Sequence, residues 1–296
     1  MEFGICKLAV IPLRKEGNDQ SEMVSQVLFG EYFKILKIET KWIFIQLAKD
    51  DYKGWICSKQ YQEITYEDYE NLSINEFPKV LNSNATVQSL VNKEIIPIST
   101  GSTLPFFNNG IIKIRNEKFR FNGEVSSGKT MDIINYAHQF INSPYLWGGK
   151  TKFGIDCSGF SQVIYSLTGI DIPRDASQQV ELGKKIAINN TAPTDLVFFK
   201  NEHNKINHVG IALENKQIIH ASGKVRIDGL SDEGIKHIKS GQLTHRLHSI
   251  KRIYWFYLKR LIYSTLISVN MKKCHFKFIG SRFDAFKVKH TNYGLK

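Results

Sequence analysis

Near Glu124 the spacing of apolar residues changes, and that break constrains the chain more than any other feature. Before it, short runs rich in β-branched and aromatic residues alternate with Gly, Asp and Asn, and no long helical period interrupts them. After it, Ile133, Ile134, Ala137, Phe140 and Ile141 form one helical face, ended before Pro144. Phe160, Val163, Ile164 and Leu167 repeat at i, i+3, i+4 and i+7 in a second, with Gly169 as its stop. An all-β first part must therefore be joined to a part that mixes helices with strands.

In residues 1–62, the runs 7–13, 26–28, 32–39, 42–46 and 54–57 read as strands, with Phe33, Ile35 and Ile43, Ile45 at period two. Closure hides sheet edges, so a small barrel is expected. Residues 63–78 are acidic and polar and read as a linker with one helical turn. Residues 79–123 read as a second small barrel, with strands over 85–92, 95–98, 102–108, 111–115 and 118–121 and an Asn108-Asn109-Gly110 turn. From 124 to 260 a helical half is followed by strands at 195–200, 208–214 and 217–221, an α+β arrangement.

Composition excludes several classes. With 42% hydrophobic and 23% charged residues in 296, the chain is ordinary globular material. Its four cysteines form no metal-ligand spacing, so no metal or cofactor is expected. The net charge of +12 is concentrated at the end. Residues 261–296 hold seven Lys and Arg against Asp284 alone, and read as a basic tail outside the fold. No nucleic-acid recognition motif accompanies that charge. No uninterrupted 18-residue apolar span predicts membrane insertion, and the acidic start lacks the pattern of a signal peptide. A cytoplasmic monomer is expected, or a periplasmic protein if the true N-terminus lies further upstream.

Chemistry centres on Asp156-Cys157-Ser158-Gly159-Phe160. Cys157 falls in the first turn of a helix, where unpaired N–H groups and the macrodipole favour a thiolate. A thiolate mechanism needs a base within reach and a third group to orient that base. Of nine histidines, His208 and His220 lie on strands joined by a tight turn at residues 214–216. Folding about residue 214 places them opposite one another on one face. His245 and the other histidines fall in loops, the tail or beside a helix face, with no placed partner.

Several segments carry a further likeness: Tyr145-Leu146-Trp147-Gly148-Gly149, Asp156-Cys157-Ser158-Gly159-Phe160, Pro173-Arg174-Asp175-Ala176, Asp195-Leu196-Val197-Phe198-Phe199, His208-Val209-Gly210-Ile211-Ala212 and Ile219-His220-Ala221-Ser222. In this order and spacing they resemble the NlpC-type cysteine peptidases, papain-like enzymes of bacterial cell-wall metabolism. The blocks ahead resemble bacterial SH3-like modules, as in the murein-recycling γ-D-glutamyl-L-diamino-acid endopeptidases.

The resemblance implies Cys157 as nucleophile, His208 as base and His220 as its orienter. The Cys157 N–H and the Tyr145 hydroxyl would meet the oxyanion. Asp156 would hold the amine of a free N-terminal L-alanine, and Glu22 and Tyr52 of the first module would help wall off the pocket. Ser158, Trp147, Arg174 and Asp175 would line the site; some relatives carry Ser where this chain has Ala176, so that hydroxyl contact is either absent or supplied by Ser177. The implied activity is hydrolysis of the γ-D-glutamyl–diamino acid bond of murein peptides. A lytic endopeptidase on intact peptidoglycan and a catalytically silent wall-peptide-binding protein are the alternatives. The Asp228–Gln242 segment resembles a variable connection.

Overall fold

The computed structural model describes residues 2–253; the expected basic tail lies outside the described residues. The first sheet contains β1 (Glu2–Ile5), β2 (Val10–Arg14), β3 (Met23–Leu28), β4 (Tyr32–Ile38), β5 (Trp42–Leu47), β6 (Lys53–Cys57) and β7 (Gln62–Ile64). Its order is β3-β2-β6-β5-β4-β1-β7, antiparallel throughout. Along β5 the period-two pattern holds: Ile43, Ile45 and Leu47 are buried while Trp42, Phe44 and Gln46 stay half-exposed. Ile11, Leu13, Val27, Phe33 and Ile56 complete that core.

The stretch expected as a linker is built into the fold. β7 pairs with β1, and α1 (Tyr66–Ser73) follows with a reciprocal cap. Thr65 Oγ1 accepts the Asp68 N–H at 3.1 Å, and Asp68 Oδ2 accepts the Thr65 N–H at 3.0 Å. Tyr69 and Leu72 of this helix join a core shared by both β regions, in which Phe29 meets Phe119 edge-on at 6.4 Å.

The second β region holds β8 (Thr86–Ser89), β9 (Ile95–Pro97), β10 (Ile111–Ile114) and β11 (Glu117–Asn122), in the order β10-β11-β8-β9. Residues 102–108 form no strand. Ser102, Thr103 and Leu104 are buried, but the Thr103 N–H goes to the Phe29 carbonyl and the Leu104 N–H to that of Pro78. Buried backbone must be paired, and here the partners are the turn after β3 and the end of the connector, where Thr103 makes a single antiparallel bridge to Lys79 instead of a ladder.

The third region opens with α2 (Ile133–His138), a short hairpin of β12 (Lys150–Thr151) and β13 (Gly154–Ile155), α3 (Cys157–Ser166) and α4 (Ala176–Gln179). The strands β14 (Lys184–Ile186), β15 (Leu196–Lys200), β16 (Ile206–Ala212), β17 (Gln217–Ser222), β18 (Lys224–Leu230), β19 (Gly234–Lys236) and β20 (Leu243–Arg252) follow. The sheet runs β14-β20-β15-β16-β17-β18-β19, and β19 pairs back onto β20 to close a ring of six strands. Part of the segment expected as a variable connection, residues 228–242, thus belongs to β18 and β19.

Every residue of α3 is buried. Phe160 and Ile164 belong to a core with Phe198, Val209, Ile211 and Ile219, while Gln162 Nε2 donates to Asp50 Oδ2 of the first region at 2.8 Å. A helix enclosed all round loses the polar face of a surface helix. Two further links anchor the first sheet beside it: a buried Lys150–Glu31 ion pair at 3.0 Å, and the Lys150 N–H donated to Gln26 Oε1 at 2.6 Å.

The turn between β16 and β17 shifts the expected register. Asn215 and Lys216 both take φ near +55°, the Leu213 N–H bonds the Gln217 carbonyl, and Gly210 stands opposite His220. His208 is therefore diagonal to His220, two residues along the same face. That diagonal is still within reach of long side chains.

Candidate active site

Asp156 is the N-cap of α3, and its carboxylate organises the segment around it. Oδ1 accepts the Gly159 N–H at 2.6 Å and Oδ2 the Gly148 N–H at 2.8 Å. Arg174 closes on both oxygens, at 3.1 and 2.5 Å, while its Nε donates to Ser25 Oγ and its Nη1 to Ser158 Oγ. Asp156 and Arg174 are both buried. Such a pair is tolerable out of water because four of the five guanidinium N–H groups and both carboxylate oxygens are matched. Gly148, at φ +75°, permits the close approach: a Cβ there would lie 2.2 Å from the Met23 carbonyl oxygen.

Cys157, the next residue, is 7% exposed. The N–H groups of Val209 and Ser158 point to its sulfur, yet burial and the Asp156 charge push the thiol up to about 12. The helix terminus was expected to lower it; desolvation of a thiolate outweighs that effect. Cysteine and base are thus poised as a neutral pair, since His208 is held well below its ordinary value by burial and by the neighbouring His245, His220 and Arg226.

His208 Nε2 lies 2.8 Å from His220 Nδ1, and His220 Nε2 lies 3.0 Å from Asp228 Oδ2. His220 and Asp228 are fully buried, and Arg226 Nε donates to the same Asp228 oxygen at 2.8 Å. His245 also corrects its expected place. It lies on β20 opposite Ile235, and its ring stacks on His208 with centroids 4.1 Å apart and planes 25° from parallel. Strand-pattern reasoning missed both Asp228 and His245. The one signal for Asp228 is that it follows Arg226, the residue opposite His220, by two positions.

A cavity of about 550 Å³ opens over Cys157. Glu22, Tyr52, Tyr145, Trp147, Asp156, Ser158, Arg174, Asp175 and Ser177 all contribute to its wall, so every sequence-derived contact residue comes together there, with His208 and His220 buried. Tyr52 donates its hydroxyl to Asp175 Oδ1 at 3.2 Å, and Trp147 Nε1 donates to Glu22 Oε1 at 2.7 Å. The first sheet is therefore hydrogen-bonded to the rim. Burial raises Asp175, with Arg174 and the Tyr52 hydroxyl opposing. Tyr145 is pushed up to about 12 by burial and by Cys157, so its hydroxyl keeps its proton as a donor. Asp156 already accepts four N–H groups, which leaves Asp175 and Glu22 as the carboxylates with more room for a ligand's cation. Among the described residues, no group of three or more His, Cys, Asp or Glu is arranged to hold a metal ion.

Comparison with known proteins agrees with this architecture. Residues 142–248, which include Cys157, His208 and His220, match the NlpC/P60 family, and residues 13–60 match the bacterial dipeptidyl-peptidase SH3 domain. A γ-D-glutamyl-L-lysine dipeptidyl-peptidase of Bacillus subtilis is 30% identical over 216 residues, 67% of this chain and 71% of that protein. A protein of the same name from Bacillus cereus is 26% identical over 68% of each chain. The crystal structure of an NlpC/P60 family protein from Bacillus cereus superposes with a TM-score of 0.70, covering 84% of this chain and 99% of that one at 19% identity; the likeness there is one of fold.

Proposed function

The chain belongs to the NlpC/P60 family of cysteine peptidases, and on that premise we propose that it hydrolyses the γ-D-glutamyl–diamino acid bond of short murein peptides bearing a free N-terminal L-alanine. In this reading Cys157 Sγ attacks the γ-carbonyl carbon while His208 takes the thiol proton. The oxyanion receives the Cys157 main-chain N–H, at the start of α3, and the Tyr145 hydroxyl; removing one such donor costs about 10²–10³ in rate. Collapse of the tetrahedral intermediate breaks the C–N bond, and His208 returns the proton to the departing amine. Water, deprotonated by His208, then cleaves the thioester and regenerates the thiol.

The observation that carries this specificity is the cavity wall contributed by the first sheet. Glu22, Val24, Phe44, Tyr52 and Lys53 line the same space as Cys157. A γ-linked glutamyl residue keeps its α-carboxylate, and a free L-alanine keeps its ammonium, so the acyl part of the substrate is a zwitterion. A wall holding Lys15, Lys53 and Arg174 together with Glu22, Asp156 and Asp175 suits both charges. An acylated terminus would forfeit the ammonium and meet the sheet. Peptides of this kind are degradation products, so recycling is the context we assign.

Chromatography and mass spectrometry of L-Ala-γ-D-Glu-L-Lys, its meso-diaminopimelate counterpart, their N-acetylated forms and intact peptidoglycan test the reading. Cleavage of the free-amine peptides, absent in Cys157→Ala, is expected. Equal rates on acetylated peptide or intact wall would overturn the selectivity, and no Cys157-dependent cleavage of any of them would overturn the activity.

A further inference from the structure

Asp228 ends a line of hydrogen bonds that begins at the base, and its chemistry dictates the protons along that line. Its Oδ1 accepts the Ile238 main-chain N–H at 3.0 Å, and its Oδ2 faces Arg226 Nε at 2.8 Å and His220 Nε2 at 3.0 Å. Burial works against its charge. The His220 ring N–H, the Ile238 N–H and the Arg226 charge outweigh it and hold Asp228 down at about 2. It is a carboxylate at any working pH, and a carboxylate has only acceptors to offer.

The consequences run inward. His220 Nε2 must carry a hydrogen to bond Asp228. A neutral imidazole carries one ring hydrogen, so His220 Nδ1 is bare and can only accept. His208 Nε2, 2.8 Å away, must then be the donor. That leaves the lone pair of neutral His208 on Nδ1, the nitrogen not committed to His220. Were His220 to carry its hydrogen on Nδ1 instead, His208 would be driven to the opposite tautomer, with Nδ1 protonated and unable to take the thiol proton. After proton transfer both nitrogens of His208 carry hydrogens and the bond to His220 Nδ1 survives, so one arrangement serves both states of the base.

We propose that Asp228 is a positioning residue that locks His220, and through it His208, in the tautomer able to deprotonate Cys157. The inference rests on the peptidase reading above, in which His208 is the base. Asp228 touches no substrate; its influence passes entirely through His220. His245 stacked on His208 and Arg226 beside Asp228 are the other titratable or charged groups facing the line, and neither supplies an acceptor to His220 Nε2 in the described bonds.

The test uses the full-length protein and two readouts, ¹⁵N shifts of labelled histidine and the rate of Cys157 alkylation by iodoacetamide at neutral pH. Asp228→Asn keeps the side-chain volume. Its carbonyl oxygen can serve the Ile238 N–H while its NH₂ faces His220. The expected result is loss of the single His208 Nε2–H tautomer and alkylation slowed by at least about tenfold. In a His220→Ala background, Asp228→Asn should change neither readout further. Asp228→Glu, which keeps a carboxylate, should recover part of the rate.

An unchanged His208 tautomer with an alkylation rate within about twofold of wild type would overturn the proposal. So would an equal slowing by Asp228→Asn with and without His220. A variant that fails to fold passes the decision to Asp228→Glu, where a rate below that of a folded Asp228→Leu contradicts the lock. Alkylation needs no peptide substrate, so a correct lock with no peptide cleavage would count against the proposed substrate alone.

Discussion

Two clusters of buried polar groups solve opposite problems, and the first of them lines the cavity. On the side of the α3 terminus, Asp156 and Arg174 are charged and saturated: two backbone N–H groups, two serine hydroxyls and a double contact leave little unmatched. On the histidine side, His208, His220 and His245 are all pushed toward neutrality, and the charge sits at the far end, on Asp228 and the Arg226 beside it. Paired charges give a stiff frame for Cys157 and for the wall. Neutral imidazoles keep a lone pair ready and can hold a proton briefly without a standing charge to desolvate. The difference teaches that burial alone does not assign a role; the number of matched partners does.

Substitutions on each side should therefore fail in different ways. His208→Ala should lower kcat/KM by at least about 10³-fold with unfolding by urea little changed. Arg174→Leu should do the reverse first. It leaves the Asp156 carboxylate buried beside fewer donors and should cost about 3–5 kcal/mol in urea unfolding. If Arg174→Leu lost activity without losing stability, the frame would be a catalytic device and the contrast would collapse. His220→Ala should reduce kcat by about 10–100-fold at nearly constant KM, as an orienting partner does.

A pH series sharpens the same contrast. In the unfolded chain, histidines take up protons near 6.5, while in the native state His208, His220 and His245 resist, the last down to about 4. The unfolded state then binds more protons, so native stability is full above pH 6.5 and falls between there and about pH 4. Urea titrations at several pH values should show that slope, and His245→Phe should flatten it by up to one proton's share. Tyr52→Phe should have the smallest effect. Loss of its bond to Asp175 is worth about 1 kcal/mol, seen as a rise in KM for the free-amine peptide with kcat held.

What the sequence revealed follows from how far apart the interacting residues lie. The apolar spacing after Cys157 gave α3 and its start, because cap, turn glycines and helix face are neighbours in the chain. His208 and His220 were brought to the same face, but the hairpin centre was misplaced by one residue. Two consecutive left-handed residues, Asn215 and Lys216, move the turn, and neither residue type announces that conformation strongly. Asp228 and His245 were invisible for a different reason. Asp228 is placed by β18, a strand the pattern did not reveal, through its pairing with β17. His245 depends on the sheet closing through β19 onto β20, and Leu243–Arg252 carries too little apolar alternation to read as a strand. Residues 102–104 misled in the other direction: their β-like composition serves burial against the first sheet.

The most direct test of the account is the covalent state of Cys157 during turnover. Wild-type protein mixed with L-Ala-γ-D-Glu-L-Lys, quenched in acid and weighed intact should show a population heavier by the L-Ala-γ-D-Glu acyl group. Peptide mapping should place it on Cys157, and it should be absent in Cys157→Ala. Turnover that persists without Cys157, or an acyl group found on another residue, would contradict it.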